Sequence, residues 1–228
     1  MIAENLERVR KQIHEAALRA GRDPSEIQLV AVSKKKSLQS IAEARQCGQF
    51  CFGENYLQEA VPKIEQSAND IRWHFIGHLQ SNKAKKAVRY FQVIETVDRL
   101  KIARLLEKHA AEMNKTVNIY IQVNIGREPQ KSGIAPEKTR QLLEEIKPFS
   151  HLRVLGLMCT PPSSDHAEGS RTWFKKLHRL SVQLGGQGLF SDDNRIGLSM
   201  GMSGDFTVAV EEGATLVRVG TKIFGSRG

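Results

Sequence analysis

The sequence predicts a single α/β domain folded as a (β/α)8 TIM barrel. Short apolar segments typical of buried strands alternate with amphipathic segments typical of helices, and this alternation favours a parallel sheet. Eight such units fit into the 228 residues, and barrels of this kind usually take ~250 residues. An extra amphipathic helix precedes the first unit, with Leu6, Val9 and Ile13 on one face. An open, doubly wound sheet is the alternative fold, and no linker divides residues 1–228 into two domains.

The composition is that of an ordinary globular protein. Hydrophobic residues make up 40% and charged residues 26%, and no apolar segment is long enough to span a membrane. Because Cys47, Cys51 and Cys159 form no disulfide or metal-binding pattern and the amino terminus lacks a signal-peptide pattern, we expect a cytoplasmic protein without a metal site. The net charge of +9 permits binding to anions. Nucleic acid is not the expected ligand, because aromatic residues are only 6% and no stacking motif is present.

The first predicted strand leads directly into a lysine. The apolar segment 29–32 lies between the turn sequence 23–25 and Ser37, which is expected to cap a helix, and Lys34 follows the segment. Parallel barrels carry their chemistry at the carboxyl ends of the strands. A lysine shielded from water there can form an imine with an aldehyde. The alternative is that Lys34 merely opens the solvated run 34–36.

The remaining elements follow the same alternation. Strands are predicted at residues 49–53, 72–76, 91–96, 117–124, 154–158, 195–198 and 215–219. Helices are predicted from Ser37, at 55–67, 81–89, from Asp98, from Pro136, at 167–184 and at 205–212. Ser37, Ser81 and Asp98 are expected to be N-caps. Pro136 suits a first helical position, whereas Pro62 predicts a kink or a later start for the helix at 55–67.

The loops after the seventh and eighth strands have the composition of a phosphate site. Barrels often bind phosphate between these two loops, using glycines, hydroxyls and free backbone N–H groups. The residues of the right type are Ser199, Gly201, Ser203, Gly220 and Thr221. Ordinary Gly/Ser turns are the alternative interpretation. Together with a reactive lysine, the loops predict a pocket for a phosphorylated aldehyde, of which pyridoxal 5′-phosphate (PLP) is the obvious biological example.

Two histidines four residues apart fall on the third strand and the loop after it. Because His74 and His78 do not share a helix face, we expect no joint metal site. His74 is expected in the core with a satisfied hydrogen bond. His78, at the carboxyl end of the strand, is the better functional candidate.

Five motifs, in order along nearly the whole chain, resemble the YggS/PROSC family of pyridoxal phosphate homeostasis proteins. They are Ala31-Val32-Ser33-Lys34, Phe52-Gly53-Glu54-Asn55-Tyr56, residues 74–80, Leu198-Ser199-Met200-Gly201-Met202-Ser203 and Val217-Arg218-Val219-Gly220-Thr221. That family is similar to the amino-terminal barrel of alanine racemase, the type III PLP fold. The family usually has Ser-Lys-Thr-Lys-Pro where this chain has lysines at 34, 35 and 36. Alternation along a strand would direct Lys35 to the side opposite Lys34.

The resemblance implies a PLP-binding protein that carries or buffers the cofactor and supports vitamin B6 and amino-acid homeostasis. It implies that Lys34 is the Schiff-base lysine and that Arg218 faces the pyridine nitrogen. The phosphate would be held by Ser199, Gly220 and Thr221, and the cofactor would also lie near Asn55, Met202 and Ser203. PLP-dependent apoenzymes are candidate recipients, and we expect a monomer.

The alternative function is that of an amino-acid racemase or another PLP enzyme of weak activity. Racemisation needs an acid–base group on each face of the substrate carbon, and Lys34 would supply one. In alanine racemase the other is a tyrosine from a β-rich second domain. We expect that domain to be absent because the chain stops soon after the eighth strand, and none of Tyr56, Tyr90 and Tyr120 has an evident fit to the role.

Overall fold

A computed structural model describes residues 1–225 and shows a closed barrel of eight parallel strands paired in chain order. The strands are β1 Gln28–Val32, β2 Cys51–Glu54, β3 Arg72–Phe75, β4 Val93–Val97, β5 Val117–Gln122, β6 Leu152–Met158, β7 Gly197–Ser199 and β8 Leu216–Val219. The helices are α1 Ile2–Arg19, α2 Leu38–Gln46, α3 Leu57–Gln66, α4 Ala84–Tyr90, α5 Leu100–Glu112, α6 Thr139–Ile146, α7 Arg171–Leu184, α8 Phe206–Glu211 and α9 Thr221–Phe224. The predicted TIM barrel with an amino-terminal helix is therefore confirmed.

Hydrophobic side chains fill two regions of the barrel. The larger core lies between the strands and the surrounding helices. A separate cluster of strand residues fills the barrel interior, and its buried members are Val30, Val93, Tyr120, Met158 and Leu216. Because a (β/α)8 barrel is filled by side chains rather than open along its axis, a ligand is confined to one end.

The amino-terminal helix α1 covers the outside of the barrel where the first and last β/α units meet. It packs against α2, α8 and α9 through a buried face that includes Leu6, Val9 and Ile13. The side-chain amide of Asn5 donates to the backbone oxygen of Ile223 at 2.9 Å. This contact anchors α9, the short helix that follows β8.

Helix starts show where local sequence was sufficient and where it was not. Ser37 is confirmed as a cap, because its Oγ accepts from the Ser40 N–H at 3.2 Å. The predicted caps Ser81 and Asp98 are wrong. Ser81 begins a 3-10 turn before α4, and α5 is preceded by Arg99, whose guanidinium is hydrogen-bonded to the Asp98 carboxylate. The Asp98 side chain is thus engaged by its immediate neighbour in place of the helix end.

The prolines behave largely as expected. Pro136 occupies the start of a 3-10 turn that continues into α6, which confirms its predicted place. Helix α3 starts at Leu57, two residues after the predicted start, and it continues through Pro62.

Residues 1–225 contain neither a candidate membrane span nor a candidate metal cluster. No helix there combines the length and apolar character needed to cross a membrane. In the same part of the chain, no three histidine, cysteine, aspartate or glutamate side chains are grouped to hold a metal ion.

Candidate functional site

Lys34 lies in a tight turn immediately after β1. The Lys36 N–H donates to the Ser33 carbonyl at 3.0 Å, and Lys35 adopts a left-handed backbone with φ of 58°. The interpretation that strand alternation separates Lys35 from Lys34 is wrong, because the strand ends at Val32. The turn itself gives the two residues different environments: Lys34 is half-buried, whereas Lys35 is exposed.

The third lysine of the run is held by the end of α9. The Lys36 ammonium donates to the backbone oxygens of Phe224 at 3.1 Å and Gly225 at 3.3 Å. Carbonyls at the carboxyl end of a helix favour a cation. The run of lysines is therefore not a uniformly solvated surface, and its members differ in what they contact.

The loops after β7 and β8 meet at the same edge as the Lys34 turn. The Gly220 N–H donates to Ser203 Oγ at 3.2 Å, and the Arg218 N–H donates to the Gly201 carbonyl at 3.0 Å. A Cβ on Gly220 would lie 3.2 Å from the carbonyl oxygen of Val32, so the β8 loop lies close to the end of β1. The structure thus brings the predicted phosphate loops beside the predicted reactive lysine.

The other predicted residues of these loops differ in exposure. Thr221 and Met202 are exposed and Ser203 is half-buried, so all three lie near the surface of this edge. Ser199 is fully buried as the last residue of β7. Its hydroxyl donates to Glu95 Oε2 at 2.6 Å and accepts a hydrogen bond from Arg218.

A buried polar cluster lies beneath the mouth of the barrel and is centred on Glu95. Its Oε1 is 2.6 Å from Nδ1 of His74, and its Oε2 is 3.7 Å from the Arg218 guanidinium. Arg218 also donates to the backbone oxygen of Cys159 at 2.8 Å. His74 lies in the core as predicted, at 1% exposed, but the predicted hydrogen bond is satisfied only at Nδ1, because the buried Nε2 has no hydrogen-bond partner among residues 1–225. The guanidinium is fixed at the base of the candidate site.

The cluster is held together by opposite charges. Burial alone would raise the pKa of Glu95, but His74, Arg218 and Ser199 together lower it. Burial alone would lower the pKa of His74, but Cys51 and Glu95 raise it. Glu95 is the residue that the sequence-based reasoning missed. The available signal was a carboxylate in the middle of the wholly buried strand β4.

Among the predicted ligand-contact residues, Asn55 has a buried side-chain atom, Oδ1, without a hydrogen-bond partner among residues 1–225. Leaving such a group unpaired costs about 1–3 kcal/mol, so the position fits a polar group from a ligand. Asn55 also lines a cavity of about 470 Å³ with Tyr56 and His78. Nδ1 of His78 lies 3.0 Å from Ser132 Oγ.

Residues 2–228 match the family described as "Alanine racemase, N-terminal domain". A pyridoxal phosphate homeostasis protein from Pseudomonas aeruginosa is 43% identical over 227 residues, which cover 99% of this chain and 96% of that protein. One from Escherichia coli is 43% identical over 233 residues, covering 99% and 97%. This chain belongs to the family of pyridoxal phosphate homeostasis proteins.

Solved structures show the same fold in this family and beyond it. PipY of Synechococcus elongatus, solved with PLP bound, is 36% identical over 99% of this chain and 100% of PipY, with a TM-score of 0.86. PipY without PLP gives a TM-score of 0.87. The alanine racemase of Corynebacterium glutamicum is 14% identical, with a TM-score of 0.70, and the match covers 97% of this chain and 61% of the racemase. The likeness to the alanine racemase shows a shared fold alone.

Proposed function

We propose that this protein binds PLP at the carboxyl end of its barrel and carries or buffers it. The observation that supports the proposal best is the close approach of Gly220 to the end of β1 at Val32, which sets the Lys34 turn beside the loops after β7 and β8. The names of the full-length relatives and the PLP bound in PipY agree with it. In this proposal the protein acts as a cytoplasmic monomer, and PLP-dependent apoenzymes are the recipients.

The residues at this edge match the chemical groups of PLP. Bound PLP supplies an aldehyde that condenses reversibly with primary amines, and a pyridine ring that withdraws electrons. The Lys34 amine is the group that would take the aldehyde. The hydroxyls of Ser203 and Thr221 would hold the phosphate, and the Gly220 N–H would join them by exchanging its bond to Ser203 Oγ for one to the phosphate.

Three further residues would complete the pocket. Asn55 offers its unpaired Oδ1 to a polar group, and Met202 would cover the ligand from the β7 loop. The resemblance implies Ser199 as a phosphate ligand. Its bonds to Glu95 and Arg218 favour a role in holding the guanidinium, because donation to a phosphate would require the hydroxyl to give up its bond to Glu95.

A pyridine nitrogen bonded to Arg218 would suit a carrier, although Arg218 alone would not account for a lack of activity. The Arg218 guanidinium stays protonated at physiological pH, so a pyridine nitrogen that accepts from it stays unprotonated. A neutral pyridine withdraws electrons less strongly than a pyridinium. The bound ring is then a poor acceptor of a carbanion's electrons, which favours storage over broad catalysis. ¹⁵N NMR of labelled cofactor on the wild-type protein should show an unprotonated ring nitrogen at pH 7.

The experiment that tests PLP binding is the near-visible absorption spectrum before and after borohydride, followed by peptide mapping. We expect a reducible chromophore and a phosphopyridoxyl adduct on Lys34. Lys34→Ala should lose the adduct but still bind pyridoxine 5′-phosphate, which has the ring and phosphate but no aldehyde. Lys35→Ala is the matched control and should retain the adduct. A wild-type protein that binds neither compound would refute the proposal, and an adduct on Lys35 or Lys36 alone would refute the role of Lys34.

Weak amino-acid racemisation is the second candidate function. Tyr56 favours it, because this tyrosine is 53% exposed at the mouth and lines the same cavity as Asn55 and His78. Tyr120 is buried in the barrel interior, and the hydroxyl of Tyr90 donates to Glu65 on the outside. Racemisation of alanine by the pure protein that is lost in both Lys34→Ala and Tyr56→Phe would support this function. Turnover unaffected by either variant would indicate a contaminating enzyme.

A further inference from the structure

An ion-pair network from β2 and α3 holds the turn that carries Lys34. Lys63, on α3, is at its centre, and its ammonium donates to the Ser33 carbonyl at 3.0 Å. The same ammonium contacts Glu54 Oε1 at 2.9 Å and Glu59 Oε1 at 2.5 Å. One cation therefore connects two carboxylates to the peptide that immediately precedes Lys34.

Both carboxylates also contact the turn themselves. Glu54 accepts from the Ser33 hydroxyl at 2.7 Å. Glu59 accepts from the Lys35 N–H, the backbone donor that immediately follows Lys34. The residues on each side of Lys34 are thus held by side chains from another β/α unit.

Charged side chains of this network are buried at positions where apolar residues could stabilise the fold equally well. The Glu54 side chain is fully buried and that of Lys63 is 11% exposed. Burying charges is costly unless geometry and hydrogen bonds are good, and apolar residues often serve stability equally well at such positions. Helix α3 already packs through Leu57 and Ala60. The placement of three charges around a single turn therefore indicates a requirement of that turn.

The backbone at Lys35 shows what the requirement is. Its φ of 58° is a left-handed conformation that residues other than glycine rarely adopt. Such a conformation persists only when the surrounding structure holds it in place. Together with the turn's own bond from the Lys36 N–H to the Ser33 carbonyl, the bond from the Lys35 N–H to Glu59 and the bond from Lys63 to the Ser33 carbonyl supply that restraint.

We propose that Lys63 and Glu59 are positioning residues that fix the Lys34 turn, so that the Lys34 amine meets the aldehyde of a ligand held by the β7 and β8 loops. This inference rests on the proposed function. With the backbone held on both sides, only the side-chain torsions of Lys34 remain to be ordered, and reaction with a bound aldehyde becomes effectively intramolecular. Glu54 neutralises the Lys63 charge within the network.

The test compares two ligands that differ only at the reacting carbon. PLP carries the aldehyde, whereas pyridoxine 5′-phosphate carries an alcohol there and cannot condense with an amine. For each variant we would measure the rate of imine formation with PLP by stopped-flow absorbance, and the Kd of pyridoxine 5′-phosphate by calorimetry. The variants are Lys63→Met, Lys63→Arg and Glu59→Ala. Lys11→Met is the matched control, because Lys11 forms an exposed i,i+4 pair with Glu15 at 4.0 Å.

A positioning role predicts a split between the two measurements. Lys63→Met and Glu59→Ala should slow imine formation by about 10- to 100-fold, the size of effect that small misplacement of a reacting group produces. The Kd of pyridoxine 5′-phosphate should change by less than about 3-fold, because the phosphate loops are untouched. Lys63→Arg should restore most of the rate, and Lys11→Met should match the wild type.

Two outcomes would overturn the inference. Wild-type rates in both Lys63→Met and Glu59→Ala would show that the network does not position Lys34. Parallel loss of both ligands would show a general structural role. Should Lys63→Met fail to fold, Glu59→Ala decides, because it leaves the Lys63–Glu54 pair intact. A wild-type protein that binds neither PLP nor pyridoxine 5′-phosphate would overturn the proposed function itself, whereas the two outcomes above overturn this inference and leave the proposed function standing.

Discussion

Replacing Glu95 with glutamine tests whether the buried cluster holds Arg218 in place. The carboxylate accepts from His74 at one oxygen and from Ser199 at the other, each at 2.6 Å. Glutamine has the same shape but offers one oxygen and one NH₂ group. The NH₂ group therefore replaces one acceptor oxygen and points at the donor group of His74 or Ser199. The Arg218 guanidinium, 3.7 Å away, loses its counter-charge. Removing one partner of a buried ion pair costs about 3–5 kcal/mol, a large part of a typical stability of about 5–15 kcal/mol.

The cost of Glu95→Gln should depend on pH in a defined direction. The folded pKa of Glu95 is lowered, so its stabilisation is present above the unfolded value of about 4.3 and is lost as pH falls through the folded value. The folded pKa of His74 is raised, so its stabilisation is complete below the unfolded value of about 6.5 and is lost as pH rises through the folded value. The penalty should therefore be largest between about pH 4.3 and 6.5. It should not vanish at high pH, because Arg218 remains charged.

Chemical denaturation at three pH values checks this reasoning. The free energy of unfolding would be measured for the wild type and Glu95→Gln at about pH 4, 5.5 and 8.5, values on either side of the two unfolded pKa values. Glu112→Gln is the matched control, since Glu112 pairs with His109 at 2.8 Å on the surface, where such pairs contribute little. A variant as stable as the wild type at pH 5.5, or a penalty that is equal at all three values, would refute the argument.

Two further predictions concern backbone geometry at the mouth. Gly201→Ala should lower stability by about 2 kcal/mol or more, because Gly201 has φ of 91° and a Cβ there would lie 2.5 Å from the Cβ of Ala209. In the same loop, Gly204→Ala should cost under ~1 kcal/mol, because no atom lies within 4 Å of its Cβ position; equal thermal shifts would contradict this. At the left-handed Lys35, a glycine substitution should stabilise by at most ~1 kcal/mol and a valine should destabilise by ~1 kcal/mol or more. Equal unfolding free energies for these two variants would contradict the assigned backbone.

The sequence was sufficient for the barrel because its signal is local. Apolar strands, amphipathic helices and their alternation are each read within about ten residues, and together they require a parallel sheet. Helix caps were less predictable. Ser37 caps α2, whereas Asp98 is engaged by Arg99 and Ser81 begins a turn. Serine and aspartate suit both caps and turns, so the residue type alone does not decide which one forms.

The polar cluster could not be assembled from the sequence because its members are far apart in the chain. Glu95 lies 21 residues from His74 and 104 residues from Ser199. A charged residue in a buried strand predicts that some partner exists. Only the arrangement of strands around the closed barrel identifies which strand supplies that partner. The same holds for the loops after β7 and β8. Their composition indicated a phosphate site, but the sequence did not show that they lie close to Lys34.

Charged pairs show most directly how the fold gives identical spacings different roles. Glu59 and Lys63 are four residues apart on a helix, as are Lys11 and Glu15. By spacing alone each is a pair that stabilises a helix by a few tenths of a kcal/mol, ~0.2–0.5. On α1 the pair stays exposed at 4.0 Å, whereas on α3 the buried carboxylate of Glu54 and the carbonyl of the residue before Lys34 meet the same ammonium. What distinguishes the second pair is the strand end beside it, so the role of Lys63 belongs to the turn that it contacts and not to the helix that carries it.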